Sequence, residues 1–241
     1  HPVLFGGAPA TFHMKASSSP MAAIEAQHLN VAYVAIAKHL GLPSQAYMAL
    51  SDGKDLDAQA GGETFSSALL AALAGVNAVA GPGMLDFVLT FSLPKLVLDH
   101  EFCGQALHFC RPIEPLEDLP AQHLVDQLVK DGHLLTAPHT LEHWPQELYQ
   151  TDPVIDRTTR DTDATEPPAD LAARAAEQVE QRLARYTPFA TDAVLDAEMQ
   201  RMILDGMESQ DTLPDIPPPP EGGVPEAPKG RRGRRSRRRR G

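Results

Sequence analysis

The chain has 241 residues, of which 42% are hydrophobic and 22% are charged, a composition typical of globular proteins. Its formal charge of −11 is unevenly spread: residues 229–241 hold nine of the 21 basic residues, which leaves 12 basic against 32 acidic residues in the first 228. An acidic body is not expected to bind nucleic acid, and no apolar run is long enough to span a membrane.

The first 111 residues predict three strand–helix units. The strands are predicted at residues 2–7, 44–50 and 77–81, and the helices at 17–41, 57–75 and 92–110. In the first helix, Ser19 suits the N-cap, Pro20 the first turn and Gly41 a left-handed end. Ser92 suits the N-cap of the third helix.

Strands that alternate with long helices indicate βαβ units and a parallel sheet. A closed (β/α)₈ barrel needs eight such units and about 250 residues. We therefore predict the later βα units of a TIM barrel over residues 1–150, as the C-terminal part of a longer protein. An open doubly wound sheet is the alternative, although no glycine-rich phosphate loop follows any strand.

Beyond the barrel units the chain predicts helices and then a tail. An amphipathic helix is expected over 116–132, and a C-terminal helical segment over 151–206 contains a connection at 151–168 and two more helices. Residues 207–241 are rich in proline and then in arginine, which predicts a disordered tail. We interpret this tail as solubilising; contact with nucleic acid, anionic lipid or the acidic body stays open.

The two cysteines favour free thiols in the cytoplasm. Cys103 and Cys110 lie seven positions apart on one predicted helix, about 10 Å by helical rise, which is too far for a disulfide. Two thiols and no secretory segment predict a cytoplasmic protein.

Two histidine motifs offer a metal alternative. The string HTLEH, from His139 to His143, matches a zinc-hydrolase pattern in which Glu142 would be the base. Prolines on both sides leave barely two turns of helix, which favours a short surface helix with Trp144 packed inward. A second set, His100, Cys103, His108 and Cys110, is explained better by packing.

The loops that follow the three strands are the candidate site, since parallel barrels place their chemistry where strands end. The candidates are polar and aromatic residues of these loops: Thr11, Phe12, His13 and Lys15, then Asp52, Lys54, Asp57 and Gln59, then Met84, Asp86, Phe87, Thr90 and Phe91. Each alone could be a solvated loop residue or a helix cap, Asp57 above all.

Three long strings carry a resemblance to a known family: GGAPATFHMKASSSPMAAIE, SDGKDLDAQAGGETFSSALLAALAGVN and GPGMLDFVLTFSLPKLVLDHE. They resemble the trimethylamine:corrinoid methyltransferase family over roughly residues 1–205, and HTLEHWPQELY fits a late segment of it. The resemblance implies a (β/α)₈ barrel that moves a methyl group from a small amine to the cobalt of a separate corrinoid protein. It implies no permanently bound cofactor, and we expect a homo-oligomer.

The resemblance also implies roles for particular residues. It places the pyrrolysine of the archaeal enzymes in or close to Ser51–Lys54, which points to Asp52, Gly53 and Lys54 as the catalytic region. Gly53 would leave open the space that pyrrolysine fills. Members without pyrrolysine act on quaternary amines such as glycine betaine, so a quaternary amine is the expected substrate.

Cation chemistry assigns the remaining roles. The side chains that would hold the ammonium are Phe12, Phe87, Phe91, Asp52 and Asp86. Lys54 or Thr11 would hold a substrate carboxylate. A non-catalytic amine-binding paralogue and a zinc hydrolase using His139, Glu142 and His143 remain as alternatives.

Overall fold

The computed structural model describes residues 1–114, 121–159, 170–188 and 190–206. The predicted tail, the start of the helix predicted at 116–132 and the second half of the connection predicted at 151–168 lie outside these residues. The chain divides into two compact units, one of residues 1–181 and one that begins at Arg182. The first unit contains the sheet and all the candidate site residues.

A three-stranded parallel sheet alternates with helices in the first unit. The elements are β1 (Phe5–Gly7), α1 (Ile24–His39), β2 (Ser44–Ala46), α2 (Ala58–Ala74) and β3 (Ala78–Val79). The strands lie in the order β1-β2-β3, with Gly6 opposite Gln45 and Gln45 opposite Ala78. This confirms the βα units and the parallel sheet, while the closed barrel stays a prediction.

A two-stranded hairpin follows the sheet, where the sequence predicted only a loop. It pairs β4 (Met84–Leu85) antiparallel with β5 (Thr90–Phe91), and α3 (Leu93–Phe109) begins directly after it. Strands of two residues are too short to show alternation of polar and apolar side chains, so no pattern in the sequence indicates them.

Local capping explains α2 and α3 but not α1. Asp57 accepts the N–H of Ala60 at 3.0 Å, and Ser92 accepts the N–H of Lys95 at 3.3 Å, as their positions predict. The prediction that α1 begins at Ser19 is wrong, because the helix begins at Ile24 after Ala23, which makes no side-chain cap. The carboxylate that binds the amides before α1 comes from another loop.

The core lies between the helices and the sheet and consists mostly of small side chains. One cluster contains Val34, Ala46, Met48 and Ala71. The alanine-rich face of α2 packs closely against α3.

A further apolar cluster ties later residues to α3. Val97 and Leu98 of α3 pack against Val154 and against Ala175 and Val179 of α6 (Leu171–Arg185). All five side chains are buried, so this part of the predicted C-terminal helical segment belongs to the core of the first unit.

The remaining helices are α4 (Gln122–Asp131), α5 (Pro138–Glu147) and, in the second unit, α7 (Ala193–Gly206). Trp144 on α5 is 43% exposed, so the expected inward packing of its ring is wrong. Among the helices of the described ranges, none combines the length and apolarity needed to cross a membrane.

Candidate functional site

The loops after β1, β2 and β3 meet at the carboxyl edge of the sheet. Asp52 accepts the N–H groups of Met21 and Ala22 at 3.0 and 2.8 Å, which joins the first loop to the second. The N–H of Asp86 donates to the Gly53 carbonyl at 2.9 Å, which joins the second loop to the third. The structure therefore brings together the three loops that the sequence predicted to converge.

Asp52 connects these loops and has little access to solvent. It is 5% exposed, and each carboxylate oxygen accepts one backbone N–H. Burial raises the pKa of its carboxyl group, the N–H groups of Ala22 and Met21 oppose that rise, and the nearby Glu63 carboxylate adds to it. This geometry suits a residue that positions the loops better than one that binds a cation directly.

Lys54, Asp86 and Phe87 form an exposed cluster above Asp52. The Lys54 ammonium lies 3.3 Å from Asp86 Oδ1, 5.0 Å from the centre of the Phe87 ring and 3.4 Å from the Asp52 carbonyl oxygen. The side chains of Lys54 and Asp86 are 66% and 35% exposed. A carboxylate, a ring face and a carbonyl thus surround a positive charge in a place that solvent reaches.

The hairpin turn that presents Asp86 and Phe87 is strained. Asp86, Phe87 and Val88 have φ angles of 48°, 59° and 67°, in the left-handed region that non-glycine residues avoid. Each such residue costs about 1–3 kcal/mol and persists only where the surroundings hold it. Here the Asp86 amide is bound to Gly53, and the Leu89 N–H donates to the Asp86 carbonyl at 2.9 Å.

Glu63, on the second turn of α2, organises the loop after β2 and was missed from the sequence. Its Oε2 accepts the Ser51 hydroxyl at 2.6 Å and the Asp52 N–H at 2.9 Å, and its Oε1 accepts Gln59 Nε2 at 3.0 Å. The sequence feature that could have indicated Glu63 is a single carboxylate, four residues after a glutamine, on a helix whose other side chains are mostly small or apolar.

Lys95 and Asp99 on α3 were also missed, and both side chains are fully buried. Lys95 Nζ donates to Asp99 Oδ1 at 2.7 Å, to Asp99 Oδ2 at 2.6 Å and to Thr64 Oγ1 at 2.8 Å. Burial lowers the pKa of Lys95 and raises that of Asp99, while their mutual attraction opposes both shifts. The signal for this pair was its spacing of four within the apolar stretch KLVLD.

Gly53 is buried and its surroundings are tight. A Cβ atom at this position would lie 3.0 Å from Ser51 Oγ and 3.7 Å from the Ala60 nitrogen. The Ser51 hydroxyl is itself fixed, because it accepts the Gly53 N–H at 2.8 Å. The open space expected at Gly53 is therefore absent next to its Cα, and a side chain there would require the Ser51 hydroxyl to shift.

The other candidates of the second and third loops have structural contacts of their own. Asp57 caps α2, which is the structural alternative considered above, and Gln59 binds Glu63. Met84 accepts the Ser51 N–H through its carbonyl at 3.2 Å. Thr90 and Phe91 lie exposed on β5, beside the strained turn.

The first-loop candidates lie apart from the Lys54 cluster. Thr11 and Phe12 line a cavity of about 400 Å³ with Lys15 and with Glu25 of α1. In the part of the chain that the structure describes, no hydrogen bond, ion pair or ring contact joins Thr11 or Phe12 to Lys54. The structure therefore brings only the second and third loops together at this cluster.

The histidine and cysteine motifs do not form a metal cluster within the described ranges. His139 and His143 pack edge to face on α5 with ring centres 4.7 Å apart. Among the described residues, no group of three or more His, Cys, Asp or Glu side chains is placed to hold a metal ion. Cys103 and Cys110 are free thiols, and burial raises the pKa of Cys103 to about 11.

Comparison with known proteins supports the resemblance. The sequence model of the trimethylamine methyltransferase (MTTB) family matches residues 1–209. The chain belongs to the MTTB family. That match includes every strand and loop of the candidate site, so the cluster of Lys54, Asp86 and Phe87 lies within the family region of the chain.

Three relatives show how much of an MTTB protein the chain represents. It is 33% identical to the glycine betaine methyltransferase of Desulfitobacterium hafniense strain Y51, over 84% of the chain and 42% of that protein. It is 30% identical to the trimethylamine methyltransferase MttB of Methanosarcina barkeri, over 83% and 40%. For MttB of D. hafniense strain DCB-2 the identity is 27%, over 78% and 37%. The chain thus spans about two fifths of the length of these MTTB relatives.

Proposed function

We propose that this MTTB protein is a methyltransferase that moves a methyl group from a quaternary amine, such as glycine betaine, to the cobalt of a corrinoid on a partner protein. The observation that carries the proposal is that Asp86 and Phe87 hold a positive charge, the Lys54 ammonium, at the carboxyl edge of the sheet. A relative named glycine betaine methyltransferase gives the substrate class independent support.

The cluster has the groups that a quaternary ammonium requires. Such a cation cannot donate a hydrogen bond from nitrogen, so it binds through charge and through contact with an aromatic face. Asp86 offers the charge and Phe87 the face, and at present the Lys54 ammonium occupies them both. We infer that the substrate cation takes this place.

Lys54 can then move to the other end of a zwitterionic substrate. Its side chain is 66% exposed, and an exposed ion pair of this kind is worth only about 0–1 kcal/mol, so displacement costs little. A lysine released from Asp86 would pair with the carboxylate of glycine betaine. This gives Lys54 the role that the sequence suggested. The other candidate, Thr11, lines the cavity after β1 and makes no hydrogen bond to Lys54 among the described residues.

The residues of this chain mainly position the substrate. When bound, the reduced corrinoid supplies a nucleophile for the methyl carbon, and the group that leaves is a neutral tertiary amine. Asp86 and Phe87 would hold the ammonium with one methyl group directed away from the sheet. Leu89 and Phe91, 80% and 57% exposed on the same hairpin, are the apolar side chains that we infer would contact the corrinoid.

The test is methyl transfer by the protein as it is encoded, supplied with a reduced corrinoid protein and followed by cobalt absorbance. We expect Phe87→Ala and Asp86→Asn each to raise KM for glycine betaine about tenfold or more. Asp55→Asn is the matched control, because it removes an exposed charge from the neighbouring loop and should leave KM unchanged.

A substrate comparison isolates the role of Lys54. Lys54→Met should weaken use of glycine betaine while leaving binding of tetramethylammonium, which has no carboxylate, unchanged or improved. Equal effects on both compounds would contradict the assignment of Lys54. Binding of glycine betaine without any methyl transfer would favour the non-catalytic paralogue, and no binding of any methylated amine would refute the proposed function.

A further inference from the structure

The buried pair of Lys95 and Asp99 reaches the base of the hairpin that carries Asp86 and Phe87. The backbone N–H of Gly83, directly before β4, donates to Asp99 Oδ2 at 2.7 Å. The Gly83 carbonyl accepts the N–H of Ser92, directly after β5, at 2.9 Å. One residue therefore joins both ends of the hairpin to α3, and its attachment to α3 is the Asp99 carboxylate.

Gly83 has no freedom to shift without disturbing the hairpin. Its φ of 88° is a left-handed conformation, and a Cβ atom there would lie 2.5 Å from the Phe91 ring. The base of the hairpin is thus fixed in a conformation that only glycine adopts easily, while its turn carries three strained residues. A hairpin of this kind keeps its geometry only if its base is held firmly.

The same ion pair also contacts the element that organises the second loop. Lys95 donates to Thr64, which follows Glu63 on α2, and Glu63 binds the hydroxyl of Ser51 and the amide of Asp52. The pair therefore connects α3, α2 and the hairpin at one buried point. Through these contacts it reaches both partners of the Lys54–Asp86 cluster.

We propose that Lys95 and Asp99 are positioning residues, which set the hairpin so that Asp86 and Phe87 face the loop of Lys54. This inference rests on the proposed function for its consequence and on the contacts of Gly83 and Thr64 for its geometry. Stability alone is a weak reason to bury two charges, since well-packed apolar residues often replace such pairs without loss. The fixed Gly83 amide is what an apolar pair could not supply.

Two double variants separate positioning from simple packing. Lys95→Met with Asp99→Leu removes both charges and also the acceptor for the Gly83 N–H. Lys95→Met with Asp99→Asn removes the same charges but keeps an oxygen acceptor, and Thr64 remains to accept the new amide. The variants thus differ mainly in whether Gly83 stays bonded, and neither leaves a lone buried charge.

Hydrogen exchange gives a readout that needs no substrate. We expect the leucine variant to exchange the amides of residues 83–91 about tenfold faster or more, while the asparagine variant stays close to wild type. Exchange in α2 should be the same in both. Titration with glycine betaine should follow the same order, with a rise of about tenfold in Kd for the leucine variant alone.

Each outcome decides one of the two claims. Equal amide exchange and equal affinity in the two double variants would refute the positioning role. Failure of both variants to fold would also refute it, because Lys95 and Asp99 would then be required for folding itself. If exchange differs as expected but wild-type protein binds no methylated amine, the positioning inference stands and the proposed function fails.

Discussion

Substitution of Asp52 tests whether this residue connects two loops or binds substrate. Asp52→Ala removes the acceptor of two backbone N–H groups, at 3.0 Å from Met21 and 2.8 Å from Ala22. A hydrogen bond to a charged group contributes about 1.5–3 kcal/mol, and a buried donor left without a partner costs about 1–3 kcal/mol. Ala22 is 3% exposed, so water cannot easily replace the lost acceptor at its amide.

The net effect is smaller than the sum of these contributions. The ionised Asp52 carboxylate is itself destabilised by burial and by Glu63, as its raised pKa shows, and the substitution removes that cost. We therefore expect Asp52→Ala to lower the free energy of unfolding by about 2 kcal/mol. Asp52→Asn keeps one oxygen acceptor and loses the charge, so we expect a loss of about 1 kcal/mol.

Urea unfolding at neutral pH measures both losses, with exchange of the Met21 and Ala22 amides as a local check. Asp55→Asn, a nearby exposed carboxylate, serves as the control. A change below about 0.5 kcal/mol for Asp52→Ala, with unchanged amide exchange, would refute the connecting role. If Asp52→Ala showed this unchanged stability and exchange but lost affinity for glycine betaine, Asp52 would be the substrate ligand that the sequence suggested.

The pH dependence of stability has a definite sign. Because the folded state raises the pKa of Asp52, folded protein binds this proton more tightly than the unfolded chain does. The stability of wild type relative to Asp52→Asn should then fall as pH rises from about 4 through the raised pKa. A relative stability that rises with pH over this range would show that the hydrogen bonds outweigh burial.

Three further predictions concern side-chain burial and packing. Cys103, with a pKa raised to about 11, should react with iodoacetamide about a hundredfold more slowly in the folded than in the unfolded protein at pH 8, and a similar rate in both would contradict its burial. Gly81→Ala should lower the free energy of unfolding by about 1–3 kcal/mol, because a Cβ would overlap the Met48 carbonyl. Gly62→Ala, in open space on α2, should raise it by about 0.5–1 kcal/mol. Changes of the same sign in the two variants would refute this interpretation. Leu98→Ala should cost about 2–5 kcal/mol by calorimetry, and a smaller loss would mean that the cluster with Val154 is loosely packed.

The amino-acid sequence determined the features that depend on near neighbours. The alternation of β1–β3 with α1–α3, the caps at Asp57 and Ser92 and the left-handed glycine ends follow from spacing and from residue type within a few positions. The convergence of loops was also predictable, because parallel strands place their carboxyl ends together. The family match confirms the resemblance that the longest strings carried.

Only the tertiary structure decided which candidate residues lie at the site surface and which hold the loops and the hairpin in place. Asp52 binds amides 30 and 31 positions away, so its carboxylate is used inside the fold and not at the site surface, and α1 begins at Ile24 instead of Ser19. Lys95 and Asp99 lie in a stretch whose pattern shows only a helix, yet burial makes them the contact that holds the hairpin. Such roles depend on long-range contacts and on the solvent that folding excludes, and neither is present in the local sequence.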